Sequence, residues 1–226
     1  MKKFIFLFAF LILVPLIDAK RYEETEKVSR SILRQGEGEE KVQKLQEVLK
    51  EKGYYFSEID GIFGPETRYA VIAFQKVNKI QVDGIVGPQT WQVLENSRRP
   101  SPRYKERGIH IEIDLERQLL FIIKDETIIG ISHISSGKPG RETPTGRFEV
   151  PNVEKVICKT RNVPWNATLF YPIQIRGAYL IHGFAEKEGG VPLYPASKGC
   201  VRVPISISYW LAYYSGIEKG TIVYIY

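Results

Sequence analysis

The chain carries two hydrophobic rhythms in succession. From residue 40 apolar positions recur at helical spacing, Val42, Leu45 and Leu49, and Gly53 stands where such a helix would stop. A second helix is predicted from Pro65 to about Lys76, with Val71 and Phe74 facing inward, and a third from Pro88, with Trp91 and Leu94. After residue 107 the period drops to two. Ile109, Ile111 and Ile113 interleave with His110, Glu112 and Asp114, and Leu119, Phe121 and Ile123 continue the alternation beyond a turn at 115–118. This predicts an antiparallel hairpin with His110 on its outward side and Asp114 as solvated charge. Further strands are predicted at 127–135, 146–153, 169–175, 178–182 and 221–226, and 205–214 reads as a lone helix. The fold class that follows is multidomain: a small three-helix bundle, then a mainly β domain built as a sandwich or barrel-like sheet with one or two helices.

Two stretches follow neither rhythm. Lys2 and Lys3 precede an unbroken apolar run over 4–17, too short for a bilayer span of about 20 residues, and Ala19 offers a small residue for cleavage. This is a signal-peptide layout, so 1–19 is expected to direct export to a periplasm, cell wall or extracellular space. After cleavage no stable membrane span is expected; the alternative is a retained N-terminal anchor. No Cys follows the run, so a lipid anchor has no attachment site. Residues 20–39 read as a polar linker, and 97–107, Ser-Arg-Arg-Pro-Ser-Pro-Arg-Tyr-Lys-Glu-Arg, as a second linker between domains 40–96 and 108–226.

Composition narrows the chemistry. With 43% hydrophobic and 26% charged residues the 226-residue chain is an ordinary globular one, which excludes collagen-like, low-complexity and disulfide-scaffold classes. The net charge of +6 suits an acidic polymer but is small enough to serve solubility alone, and no nucleic-acid partner is expected. Two cysteines and three histidines exclude zinc folds built on four cysteines or repeated Cys/His pairs. His110 and His133 lack acidic neighbours at ligand spacing, so no metal and no cofactor is expected.

The second and third helices begin on near copies. Asp60-Gly61-Ile62-Phe63-Gly64-Pro65-Glu66-Thr67 is echoed 23 residues later by Asp83-Gly84-Ile85-Val86-Gly87-Pro88-Gln89-Thr90. Each has an Asp-Gly turn, an apolar plug, and a proline at the first helical position, where its missing N–H is not needed. Asp60 and Asp83 are read as turn formers. The repeat resembles the signature of the three-helix peptidoglycan-binding domain, and the resemblance implies attachment to cell-wall glycan or stem peptide.

His182 ends the strand at 178–182 and is followed by Gly183, while Cys200 lies 18 residues on within Ser197-Lys198-Gly199-Cys200-Val201-Arg202. A thiol becomes a useful nucleophile beside an imidazole or a helix N-terminus, and the sequence predicts both, with a helix directly after Cys200. The N–H groups of Gly199 and Cys200 are expected to face a developing oxyanion together. A His and a Cys alone do not make a site, and an even pair of cysteines in an exported chain points as readily to a disulfide.

The surrounding motifs change that balance. Ile181-His182-Gly183, Ser197-Lys198-Gly199-Cys200-Val201-Arg202 and, upstream, Gly137 with Thr143-Pro144-Thr145-Gly146 stand in the order of the L,D-transpeptidase (YkuD-type) catalytic domain, which the segment 109–226 resembles. The resemblance implies Cys200 as nucleophile, His182 as general base, and the carbonyl of Gly183 as the group orienting the histidine. It implies peptidoglycan stem tetrapeptides as substrate and a thioester acyl-enzyme resolved by an amine into a 3→3 cross-link. Water as acceptor gives an L,D-carboxypeptidase instead, and a non-catalytic wall-binding protein is the alternative from another class. Arg202, Ser197, Gly199 and Tyr171 are expected at the substrate: Arg202 on a stem carboxylate or pinning the loop, Ser197 in the turn, Gly199 for close approach, Tyr171 beside the acyl-donor groove or in the core. Lys198 stands where the family often has His. Cys158 is expected as a free, partly buried thiol, and 186–190 as part of a lid or a mobile loop. The helical domain is expected to be dispensable for acylation by a small β-lactam.

Overall fold

The computed structural model describes residues 32–36, 38, 40–159, 168–185 and 190–226. The predicted leader, most of the first linker, residues 186–189 of the expected lid and the side chain of Cys158 lie outside the described residues.

Three helices form the N-terminal domain: α1 (Glu40–Glu51), α2 (Pro65–Val77) and α3 (Pro88–Asn96). The apolar stripe of α1, Val42, Leu45 and Leu49, is fully buried, as are the plugs Phe63 and Val86 of the two repeats. α2 and α3 each start on an extended glycine, Gly64 and Gly87, with proline in the first turn. The two Asp-Gly turns are completed by a residue type that the apolar pattern does not announce. Buried Gln46 of α1 donates through Nε2 to Asp60 Oδ1 (2.7 Å) and Ile62 O (3.0 Å) and accepts through Oε1 from the N–H groups of Asp60 and Gly61. Gln75 of α2 repeats the pattern on Asp83, Gly84 and Ile85. Asp60 also accepts from Ile62 N–H, and Asp83 from Ile85 N–H, so both carboxylates are turn formers. The Gln46 amide is the main cause that holds the Asp60 carboxyl below its ordinary range.

Among the described residues the second domain is two packed sheets and one helix. The strands are β1 (Ile109–Asp114), β2 (Leu119–Lys124), β3 (Thr127–His133), β4 (Gly146–Glu149), β5 (Ile157–Lys159), β6 (Thr168–Arg176), β7 (Tyr179–Gly183), β8 (Val201–Val203) and β9 (Ile222–Ile225), with helix α4 (Ile205–Tyr213) between the last two. One sheet runs β3-β2-β1-β9-β4 and the other β5-β6-β7-β8. Ile111, Ile113, Leu120, Ile122 and Val223 of the first meet Ile173, Ile181, Val201 and Val203 of the second, with Ile207 and Leu211 of α4 joining them. The β1/β9 and β7/β8 pairs are parallel. Among the described residues no helix is long and apolar enough to cross a membrane.

β1 and β2 form the predicted antiparallel hairpin, but the other face of the first sheet is also covered, which corrects the expectation of an outward, solvated face. Leu119, Phe121 and Ile123 point away from the inter-sheet core and pack, with Ile128 and Ile131, in one cluster with Leu49, Tyr54, Phe74 and Trp91 of the helical domain. The continuous run Leu119-Leu120-Phe121-Ile122-Ile123 is the sequence trace of a strand buried on both faces. Removing the helices uncovers five large apolar side chains at about 2 kcal/mol each, a sum comparable to the whole stability of a domain. The helical domain therefore shares a core with the second domain.

His110, Glu112 and Asp114 are likewise buried rather than outward or solvated. The 97–107 segment folds back over them. Arg103 N–H and Tyr104 N–H donate to the two Glu112 carboxylate oxygens at 3.0 and 2.7 Å, and the Tyr104 ring stacks on Tyr224 at 3.9 Å. Asp114 is held by Arg117 at 2.8 Å. The strands alternate as predicted; what covers each face belongs to distant sequence.

Candidate active site

β7 and β8 lie side by side with Ile181 opposite Val201, His182 opposite Arg202 and Gly183 opposite Val203. Ile181, Val201 and Val203 point into the inter-sheet core. Because side chains alternate along a strand, His182 and Arg202 project from the opposite face, and carrying the alternation back from Arg202 puts Cys200 with them. Cys200 precedes a strand rather than a helix: β8 intervenes and α4 starts only at Ile205, so the expected helix N-terminus is not at the thiol. A three-residue strand bounded by Cys200 and Pro204 is too short to announce itself by pattern.

The turn before Cys200 is closed by two hydroxyls. Ser197 Oγ accepts from Gly199 N–H at 3.0 Å and donates to Cys200 O at 2.5 Å. Thr143 Oγ1 accepts from Gly137 N–H at 2.9 Å and donates to Gly199 O at 2.8 Å. The upstream Gly137 and Thr-Pro-Thr-Gly motif is thereby tied to the thiol turn, and Ser136 O accepts from both Ala196 and Ser197 N–H at 2.9 Å. Gly137 cannot carry a side chain: a Cβ there would lie 2.1 Å from Arg141 O. Gly199 has φ +112°, and its Cβ would lie 2.5 Å from Tyr179 Cε1. Its N–H is spent on Ser197, which removes it from the expected oxyanion-facing pair.

His182 is buried, and its Nδ1 lies 2.9 Å from Gly183 O. Donation from Nδ1 to that carbonyl fixes the tautomer with Nε2 as the unprotonated nitrogen. A Cβ on Gly183 would lie 2.4 Å from Ser208 Oγ, so this glycine lets α4 close on β7. Burial, opposed by the Gly183 hydrogen bond and reinforced by the charge of Arg202, lowers the His182 pKa to about 4. Burial raises the Cys200 thiol pKa, against lowering contributions from the Leu180 backbone and Arg202. Both groups are thus neutral at neutral pH, Cys200 as the thiol and His182 as the imidazole. Cys200 Sγ lies 3.6 Å from Ala178 O, a long contact, and is a free cysteine. The Arg202 guanidinium lies over the Phe184 ring at 4.1 Å.

Six of the seven predicted residues therefore meet at the β7–β8 edge. The seventh, Tyr171, sits at φ +48° in the register shift between Phe170 and Ile173, and its ring packs on Tyr209 and Tyr213 of α4 at 5.2 and 5.9 Å. Thr143 and Phe184 are the site residues to which sequence gave no role. Thr143 stood inside a recognised motif; Phe184, directly after His182-Gly183, carried no signal beyond its position.

A family model for the L,D-transpeptidase catalytic domain matches residues 108–225, and one for a peptidoglycan binding domain matches residues 38–94. The solved L,D-transpeptidase (residues 123–326) from Xylanimonas cellulosilytica is 33% identical, with a TM-score of 0.78 over 87% of this chain and 98% of that one. Spore cortex-lytic enzyme of Bacillus cereus is 34% identical over 102 residues, 45% of this chain and 39% of that protein. The Halalkalibacterium halodurans enzyme of the same name is 32% identical over 81 residues, 36% of this chain and 24% of that protein. The chain thus spans less than half the length of these two curated relatives. With more than half its length matched by the catalytic-domain model, the chain belongs to the L,D-transpeptidase family and carries a peptidoglycan-binding domain ahead of its catalytic domain.

Proposed function

We propose that this protein is an exported L,D-transpeptidase that joins peptidoglycan stem peptides through a thioester on Cys200. The observation that carries the reading is the parallel β7–β8 pair, in which His182 lies opposite Arg202, two residues after Cys200, and His182 Nδ1 lies 2.9 Å from the Gly183 carbonyl. Nε2 is then the basic nitrogen. As Cys200 sulfur attacks the carbonyl carbon at the L-centre of the diamino acid, its proton passes to Nε2 and the Cys200 N–H faces the developing oxyanion. Collapse breaks the amide bond; D-alanine leaves with the proton returned by His182, and a thioester remains. The amine of a second stem attacks that thioester, loses a proton to His182, and forms the 3→3 cross-link as the thiol is regenerated. A pair neutral before attack suits this order, because the proton moves only when substrate is present.

In the same reading Arg202 receives a stem carboxylate, Ser197 and Gly199 shape the turn that the substrate approaches, and Tyr171 buttresses α4. The apolar leader followed by a wall-binding domain supports export. Muropeptide profiling of walls treated with the wild-type and Cys200→Ala proteins tests the proposal. Dimers linked 3→3 with wild type alone are expected; tripeptides alone would mean an L,D-carboxypeptidase, and no change would mean a non-catalytic wall binder.

A further inference from the structure

Helix α2 belongs to the wall-binding domain, yet it touches the chain between the His182 and Cys200 motifs. Tyr69 OH accepts from Val191 N–H at 2.8 Å. Lys76 Nζ lies 3.0 Å from His133 Nδ1 and donates to Leu193 O at 3.4 Å, while His133 Nε2 lies 3.3 Å from Val191 O. Tyr69, Ile72 and Val191 form a small buried cluster on which Phe184 and Leu193 pack. Phe184 N–H donates to Val203 O at 2.9 Å, and its ring lies beneath the Arg202 guanidinium. An unbroken line of contacts therefore runs from Tyr69 through Val191 and Phe184 to Arg202, whose strand partner is His182. Ser206, at the start of α4, also contacts Glu66 of α2.

We propose that Tyr69 and Lys76 are positioning residues for acyl transfer: they hold residues 190–193 against Phe184 and so fix the Arg202 guanidinium where it receives the acyl donor. The proposal rests on the reading of Cys200 as nucleophile and Arg202 as carboxylate site. Neither residue touches the substrate; both act through Arg202. The wall-binding domain is thereby part of the catalytic apparatus and not only a tether.

Steady-state transfer by the full chain with a tetrapeptide donor and a free amine acceptor provides the test, using Tyr69→Phe, Lys76→Met, Arg202→Ala and the double variants. Loss of one hydrogen bond that orients Arg202 is expected to raise the donor KM about threefold to tenfold with kcat within twofold, and the thermal midpoint of Tyr69→Phe should stay near wild type. In the Arg202→Ala background, Tyr69→Phe should add nothing. Equal factors with and without Arg202, or a loss confined to kcat with KM unchanged, would overturn the proposal. If Tyr69→Phe does not fold, Lys76→Met supplies the same comparison. A Cys200→Ala control that still transfers would bring down the reading of the site and the proposal with it; an additive Tyr69/Arg202 pair beside an inactive Cys200→Ala overturns the proposal alone.

Discussion

Two kinds of glycine turn in this protein are built by the same device and end differently. At Asp60-Gly61 and Asp83-Gly84 a buried glutamine fills the turn, and the carboxylate, the peptide N–H groups and the following carbonyl all find partners. At Ser197–Cys200 two buried hydroxyls do the same work on the backbone, from Gly137 through Gly199 to Cys200. The difference is the last atom. In the first two turns every group that the side chain reaches is satisfied; in the third the hydroxyls engage Gly137, Gly199 and the Cys200 carbonyl but not the sulfur, which lies 3.6 Å from Ala178 O. A turn whose side chain satisfies every group it reaches holds a fold together; in the proposed mechanism, a turn whose hydroxyls leave the sulfur unengaged presents that sulfur to a substrate.

The largest effect should come from adding a side chain to the thiol turn. Gly199→Ala meets both φ +112° and the Tyr179 ring, and strain of about 2 kcal/mol at this position should cut acylation by at least tenfold, read by stopped-flow with a chromogenic β-lactam. Adding Tyr179→Ala separates the causes: full recovery would assign the loss to the ring, no recovery to the backbone. In the filled turns the damage should appear as stability instead. Gln46→Ala leaves Asp60, Gly61 and Ile62 without their buried partner and should cost about 2–3 kcal/mol in urea denaturation, with acylation by the folded fraction unchanged; a specific loss of acylation would break the comparison. Thr143→Val removes the hydroxyl between Gly137 and Gly199, and should slow acylation by about threefold to tenfold with a stability loss near 1 kcal/mol.

The last effect concerns pH. Burial, the largest cause in each, lowers the His182 pKa to about 4 and the His133 pKa to about 3, whereas an unfolded histidine titrates near 6.5. Between these values the unfolded chain binds more protons. The stabilisation is full above about pH 6.5 and is lost as pH falls toward 4, by about 1 kcal/mol per pH unit for each histidine. Urea midpoints measured between pH 7 and pH 5 should fall accordingly, and His133→Gln should remove part of the slope.

Much of this was legible because the motifs are local. Three helices, the repeat, the His-Gly and Ser-x-Gly-Cys elements and most strands follow from spacing and from residues that only a turn requires. What escaped depends on contacts between segments far apart in sequence. Gln46 and Gln75 carry no signal in the apolar pattern, because their partners lie 14 and 8 residues away across a turn. His110, Glu112 and Asp114 alternate as a solvated face would, and only the returning 97–107 segment buries them. The run Leu119 to Ile123 did contain the signal for burial on both faces, and the interface with the helical domain follows from it. Thr143 was seen as part of a motif, but its two hydrogen bonds join residues that sequence holds 62 positions apart, Gly137 and Gly199.

The central claim is that the atom left open at the third turn carries the acyl group. Intact-protein mass after exposure to a carbapenem measures this directly on wild type, Cys200→Ala and Ser197→Ala. A single adduct on wild type, none on Cys200→Ala and a slowed one on Ser197→Ala is the predicted result. An adduct of undiminished yield on Cys200→Ala would contradict it.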